Sequence, residues 1–87
     1  MDNLVIFRNN MYMDIFAVKI GRVIRKRRLN LGFSQEAVAA LAGLNRTYIG
    51  EIERGMVNVS AVKLQQIAKA LGIKFSDLIR LYEEADD

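Results

Sequence analysis

The sequence predicts an all-α fold built from five helices. Proline is absent from the 87 residues, and apolar side chains recur at three- and four-residue spacing along most of the chain. Four glycines each follow such an amphipathic segment, at the place where a helix favours a residue with positive φ. They are Gly32, Gly43, Gly55 and Gly72. We expect one compact domain over residues 14–87, preceded by an N-terminal extension over residues 1–13.

The first two helices follow from their apolar faces and their ends. The first is expected over residues 14–31. Its apolar face comprises Phe16, Ile20, Val23, Ile24 and Leu31. The second begins after Ser34, a favourable N-cap, and ends at Gly43. Its inward side is predicted to carry Val38, Leu41 and Ala42.

The last three helices show the same signals. The third follows the N-cap Asn45, and its inward edge is formed by Ile49 and Ile52. The fourth begins near Ser60 and the fifth near Ser76. Their apolar residues are Leu64, Ile67, Ala68 and Leu71 in the fourth helix, and Leu78, Ile79, Leu81 and Tyr82 in the fifth.

The composition excludes most catalytic chemistry. The chain has no cysteine and no histidine, which removes the thiolate nucleophile, the commonest general base and the commonest metal ligand. The carboxylates show no spacing that suits a metal-binding loop. We therefore expect no enzyme activity, no cofactor and no metal site. The apolar run Leu4–Phe7 is too short for a signal peptide or a membrane span, so we expect a cytoplasmic protein with no membrane partner.

Charge is distributed unevenly along the chain. The formal net charge is +3, but six basic residues and no acid lie between Lys19 and Arg28, whereas residues 77–87 hold five acids and one base. This asymmetry suits a protein that presents one basic surface to a polyanion. A solvated helix face would give the same pattern, so charge alone leaves both interpretations open.

Residues 33–55 place two short helices around a tight turn, which is the geometry of a helix-turn-helix. The outward face of the third helix holds Arg46, Thr47, Gly50, Glu51 and Arg54. Such a helix suits the major groove of DNA, where residues of its N-terminal turn meet base edges. A glycine at the helix centre costs about 1 kcal/mol relative to alanine. Either close approach of another surface or a chance surface glycine explains Gly50.

Individual residues of this face suit different base edges. Arg46 is expected to fork onto a guanine, and Thr47 to meet a thymine methyl group or donate a hydrogen bond. Glu51 would face phosphates unless it accepts from a cytosine amino group. Tyr48 either packs against the second helix or reaches a phosphate.

The run LGFSQEAVAALAGLNRTYIGEIERG, residues 31–55, resembles the phage-repressor-like (XRE) helix-turn-helix family. The Ser-Gln pair that opens the second helix, the glycine of the turn and the Ile-Glu-Arg-Gly ending carry the likeness, and residues 60–79 match the family's fourth and fifth helices. The string Asn-Arg-Thr-Tyr-Ile with Ile-Glu-Arg-Gly is most similar to the controller proteins of restriction–modification systems, which are small dimers that bind palindromic sites. Gly50 departs from the usual serine of those proteins.

The resemblance implies roles for further residues. Gln35 would bond a phosphate or a base, and Ser34 would cap its helix and touch the DNA backbone. The implied phosphate contacts are Arg54, Asn58 and Ser60, with Arg28 of the basic cluster assigned to the same group. Arg28 and Glu53 also match a structural ion pair between the first and third helices.

The fifth helix is the expected dimer surface. Its candidate contact residues are Phe75, Leu78, Leu81 and Tyr82, and some of these are plain core residues instead. A dimer would place two recognition helices about 34 Å apart, one turn of DNA, and would require a roughly palindromic operator.

These features together predict a homodimeric transcriptional regulator that binds double-stranded DNA. An activator would also contact RNA polymerase, and the sequence leaves activation or repression open. The alternative is a general phage-type repressor or an antitoxin. In the antitoxin, Leu4–Phe7 would bind a protein partner. Otherwise this segment packs on the domain or extends its dimer surface, or the first ten or so residues are dispensable, since Met11 and Met13 are alternative start residues.

Overall fold

The computed structural model describes residues 4–7 and 11–85. The five predicted helices are present, and an antiparallel hairpin precedes them. The elements are β1 (Leu4–Phe7), β2 (Met11–Asp14), α1 (Ile15–Asn30), α2 (Gln35–Ala42), α3 (Arg46–Glu53), α4 (Ala61–Ala70) and α5 (Phe75–Glu84). The helical part is therefore the all-α domain that the sequence predicts, and the hairpin is an addition to it.

The hairpin was not predicted. β1 pairs with β2 so that Val5 lies opposite Met13 and Ile6 opposite Tyr12. A run of four apolar residues has no periodicity that separates a strand from a helix, which is why the sequence gives no signal here. β2 leads directly into α1, because Asp14 is both the last residue of β2 and the N-cap of α1.

Local signals define the helix ends. The Asp14 carboxylate accepts from the backbone N–H of Phe16 at 2.7 Å, and Ser34, Asn45 and Ser60 cap α2, α3 and α4 with their side-chain oxygens. Each cap supplies an acceptor for an amide that has no partner within its helix. The four glycines predicted at helix ends all have positive φ.

The core lies where the five helices meet. Its fully buried side chains are Ile20, Ile24, Val38, Ile49, Ile52, Ile67, Leu71 and Leu78. The prediction that Leu41 and Leu31 face inward is wrong, because Leu41 is 62% exposed and Leu31 is 37% exposed. In α2 the buried side consists of Val38, Ala39 and Ala42. Leu41 is rotated away from Ala39 around the helix, so it falls outside this stripe.

The backbones of α1 and α3 approach each other closely at Gly21. A Cβ atom at this position would overlap the carbonyl oxygen of Ile52 in α3. One turn earlier, Val18 lies against Gly55, where a Cβ would come within 2.8 Å of the Val18 Cα. Glycine at these two positions therefore sets how near α3 lies to α1.

Polar and aromatic contacts hold α5 and the end of α4 against α1. The Arg27 Nε and Nη2 atoms donate to the carbonyl oxygen of Leu71 at 3.2 and 3.1 Å. The rings of Phe16 and Tyr82 are 4.9 Å apart between centroids, and the Lys19 ammonium lies 4.8 Å from the Tyr82 ring centroid. Tyr82 is thus largely engaged within the protomer.

Candidate nucleic-acid interface

The first turn of α3 is open to solvent. Asn45 Oδ1 accepts from the Thr47 N–H at 2.7 Å and so begins the helix, while Arg46 and Thr47 are both exposed. Ile49 and Ile52 are buried on the opposite side, as predicted. The helix therefore presents its N-terminal polar residues outward on a rigid, core-anchored element.

The start of α2 lies along one side of α3. The Glu36 carboxylate oxygen Oε2 is 3.4 Å from Arg46 Nε, and both side chains are largely exposed. Ser34 caps α2 by accepting from the Ala37 N–H at 3.0 Å. The partial positive charge of this helix N-terminus suits a phosphate. The sequence did not predict the Glu36–Arg46 contact, because two residues ten positions apart show no local pattern.

Gly50 is buried beneath two longer side chains. A Cβ at Gly50 would meet Arg54 Nη1 at 3.2 Å and the Gln35 side-chain amide at 3.7 Å. Both contacts are with the ends of flexible side chains, which can move aside, so the structure does not impose glycine at this position. Gln35 and Arg54 consequently lie side by side over the centre of α3.

Arg28 is an internal residue. It forms a bidentate pair with Glu53, at 2.6 Å from Nε to Oε2 and 2.9 Å from Nη2 to Oε1, and its Nη1 donates to the Phe33 carbonyl at 2.8 Å. Hydrogen bonding to Glu53 raises the pKa of Arg28 further above its ordinary high value, so the side chain stays charged. The predicted ion pair is present. The predicted phosphate contact of Arg28 is wrong, because this side chain is buried and its donors face protein acceptors.

The ion pair also reaches Gln35. Gln35 Nε2 donates to Glu53 Oε1 at 3.0 Å, so the buried carboxylate holds a side chain at the edge of α3. Through this chain of contacts, the packing of α1 on α3 positions a residue that was predicted to contact DNA.

Tyr48 lies on the other side of α3, towards α4. Its half-buried ring packs against the core, and the Lys63 ammonium is 5.3 Å from the ring centroid. Lys63 follows the N-cap Ser60, which accepts from the Lys63 N–H at 3.2 Å. The sequence analysis missed Lys63, because its proximity to Tyr48 depends on where α4 lies relative to α3, and the sequence does not specify that.

The remaining predicted DNA contacts differ in exposure. Arg54 and Asn58 are exposed at the end of α3 and in the loop that follows it, and Ser60 is exposed at the start of α4. Glu51 is half-buried. The start of α2, the first turn of α3 and the start of α4 thus each carry exposed polar side chains.

The predicted dimer residues divide into two groups. Leu78 is fully buried in the core, so it has no surface to offer a partner, and its assignment to the interface is wrong. Phe75 and Tyr82 are half-buried, and Leu81 is 40% exposed. Leu81 borders a groove between α1 and α5. The groove is also lined by Val23, Lys26, Arg27, Asn30, Glu84 and Ala85.

The described residues show neither a metal-binding cluster nor a membrane span. Across residues 4–7 and 11–85, no three acidic side chains come together as ligands for a metal ion. None of the helices in this part of the chain has the length and apolar character needed to cross a membrane.

Comparison with known proteins gives consistent matches. The profile of the helix-turn-helix family (HTH_3) matches residues 24–78. Control protein C.BamHI of Bacillus amyloliquefaciens is 45% identical over 60 residues, covering 68% of this chain and 74% of that protein.

Two solved structures extend the match to the fold. The restriction–modification controller protein C.AhdI of Aeromonas hydrophila superposes with a TM-score of 0.69 and 45% identity, over 71% of this chain and 94% of that one. C.Esp1396I, solved bound to a 19 base pair DNA duplex, gives a TM-score of 0.75 and 33% identity, over 79% and 92% of the two chains.

Proposed function

This chain belongs to the helix-turn-helix family, and from that premise we propose that it is a sequence-specific regulator that inserts α3 into the major groove of double-stranded DNA. The exposed first turn of α3, built on a buried inner face, is the observation that carries the proposal. A helix of this kind fits the major groove, where the four base pairs present distinct donors and acceptors. The structure of C.Esp1396I bound to a DNA duplex supports binding of DNA by this chain.

In this proposal, base contacts and phosphate contacts come from different elements. Arg46 forks onto a guanine, and Thr47 and Gln35 contact neighbouring base edges. Glu51 accepts from a cytosine amino group. Phosphate contacts position the protein without reading sequence. They come from Ser34, Tyr48, Arg54, Asn58 and Ser60.

The operator is palindromic and the bound species is a homodimer. Two copies present their α3 helices to successive major grooves, with half-sites about 34 Å apart. Leu81, with parts of Phe75 and Tyr82, contributes the apolar contacts between protomers. The similarity to C.BamHI and C.AhdI supports the further proposal that this protein controls a restriction–modification system.

Selection of bound duplexes from a random DNA pool, followed by sizing of the complex, tests these statements together. We expect one enriched palindrome bound by two protomers. Its position upstream of a controller and an endonuclease gene would distinguish a restriction–modification controller from a general repressor. Failure to enrich any sequence would contradict DNA recognition by α3.

A further inference from the structure

Arg46 lies beside an acidic neighbour. Glu36 Oε2 lies 3.4 Å from Arg46 Nε, which is on the side of the guanidinium group. The terminal amino groups of an arginine are well placed to fork onto the O6 and N7 atoms of a guanine. A carboxylate beside Nε therefore leaves the terminal amino groups of Arg46 available to a base.

We propose that Glu36 is a specificity-determining residue: it holds Arg46 in the orientation that reads guanine and weakens the attraction of Arg46 for phosphate. The inference rests on the proposed function, since it concerns how α3 distinguishes one DNA sequence from another. In this inference, Glu36, the second residue of α2, acts through its contact with Arg46, the first residue of α3.

The charge of Glu36 should affect the affinity for unrelated DNA. Binding to unrelated DNA is driven by basic residues that displace counterions from phosphates. Glu36 reduces this term, because it offsets the charge of Arg46 and repels the same phosphates. The side chains of Arg46 and Glu36 are 54% and 69% exposed, so the pair is weak and its effect on the affinity ratio is small.

Two other effects of Glu36 must be separated from this role. It is an acid in the first turn of α2, where the helix dipole favours negative charge. Its field also contributes to the raised pKa of Arg28. Both effects concern the stability of the fold. The DNA affinities of the variants are therefore measured under conditions in which urea unfolding shows each variant to be fully folded.

The experiment measures the ratio of affinities for the selected duplex and for an unrelated duplex of equal length. Glu36→Gln removes the charge. Glu36→Asp keeps the charge but shortens the side chain by roughly 1.5 Å, so that it no longer reaches Nε. Glu83→Gln is the matched control, because it removes one exposed acidic charge from α5, far along the chain from α3.

We expect Glu36→Gln and Glu36→Asp both to lower the affinity ratio by roughly two- to fivefold, the range available to an exposed ion pair. Only Glu36→Gln should also tighten binding to the unrelated duplex. Glu83→Gln should leave the ratio unchanged. In an Arg46→Ala background, Glu36→Asp should have no further effect on the ratio.

Three results would overturn the inference. An unchanged ratio in both Glu36 variants would exclude a role in specificity. A wild-type ratio in Glu36→Asp would show that charge acts without the contact, and an effect that persists in Arg46→Ala would show that Arg46 is not involved. If the wild-type protein itself selects no sequence, the proposed function fails and the inference with it. If the wild-type protein does select a sequence and any of the three results is found, the inference fails but the proposed function stands.

Discussion

At the scale of single residues, the two glycines inside α1 and α3 have opposite surroundings. Gly21 faces the backbone of α3, which cannot move without separating two helices, whereas Gly50 faces the flexible ends of Arg54 and Gln35. We expect Gly21→Ala to lower the free energy of unfolding by about 1–3 kcal/mol, as overpacking does. Gly50→Ala should be neutral or stabilising by up to about 1 kcal/mol, because alanine favours the helix.

Urea unfolding of the two variants measures this difference directly, and each serves as the control for the other. Equal losses at Gly21 and Gly50 would contradict the close backbone contact between α1 and α3.

Arg46 and Arg54 should differ in how they affect DNA binding. Arg46→Ala should cost about 1–3 kcal/mol and relax preference at one base pair of each half-site, because a bidentate base contact is lost. Arg54→Ala should weaken binding to all duplexes alike and reduce the salt slope by about 1 per protomer, as loss of a phosphate contact does.

Titrations of the operator and its single-base variants at several salt concentrations check both expectations. Uniform weakening by Arg46→Ala, or an unchanged salt slope for Arg54→Ala, would reverse the assigned role of that residue.

Single residues were predictable where their signal is local. The caps Ser34 and Asn45 were identified because a cap needs only a short polar side chain at a helix start. Leu41 was wrongly predicted to face inward, and Lys63 was not recognised as a neighbour of Tyr48. Their exposure and contacts depend on the angle at which neighbouring helices pack, and one sequence does not specify that angle.

At the scale of elements, the Arg28–Glu53 pair joins α1 to α3. The pair is buried and bidentate, so removing one partner leaves an uncompensated charge inside the protein. We expect Arg28→Met and Glu53→Leu each to cost about 3–5 kcal/mol of unfolding free energy. The double variant should lose less than the sum, because neither charge then remains buried.

A double-mutant cycle by urea unfolding tests this coupling. Additive losses would mean that Arg28 and Glu53 stabilise the protein independently. Glu53→Leu should in addition weaken operator binding more than Arg28→Met does, since only Glu53 accepts from Gln35.

The elements themselves were largely predictable, and the exception is informative. Helix bounds agree to within about one residue because apolar periodicity, caps and C-terminal glycines all lie within each helix. The β1–β2 hairpin was missed because its pairing joins residues that are distant along the chain, such as Leu4 and Asp14, and its apolar run lacks a period.

At the scale of the whole molecule, the hairpin and the helical domain are expected to be separable. A two-stranded sheet is at best marginally stable alone, whereas the helical domain has its own core and Asp14 to cap α1. We propose that a variant lacking residues 1–13 keeps the cooperative unfolding of the full chain and binds the selected duplex with similar affinity. Loss of folding would show that the hairpin belongs to the domain.

The proposed dimer would depend on apolar surface that the protomer leaves uncovered, and on α5 the candidate residue is Leu81, which is 40% exposed. Leu81→Asp should dissociate the dimer at micromolar concentration, because a charge at an apolar contact is costly to bury. Operator affinity should then fall steeply, since a monomer reads one half-site. Leu41→Asp is the matched control, because Leu41 is exposed on α2 and away from α5.

Sedimentation of both variants, with circular dichroism to verify the helices, distinguishes the possible interfaces. A dimer that survives Leu81→Asp but not Leu41→Asp would move the interface from α5 to α2. That result would also change the geometry of the complex, because α2 borders the proposed DNA-binding face. Two copies joined there could not present both α3 helices to one side of the duplex at the spacing of a helical turn. The position of the interface therefore determines whether the molecule reads a palindrome.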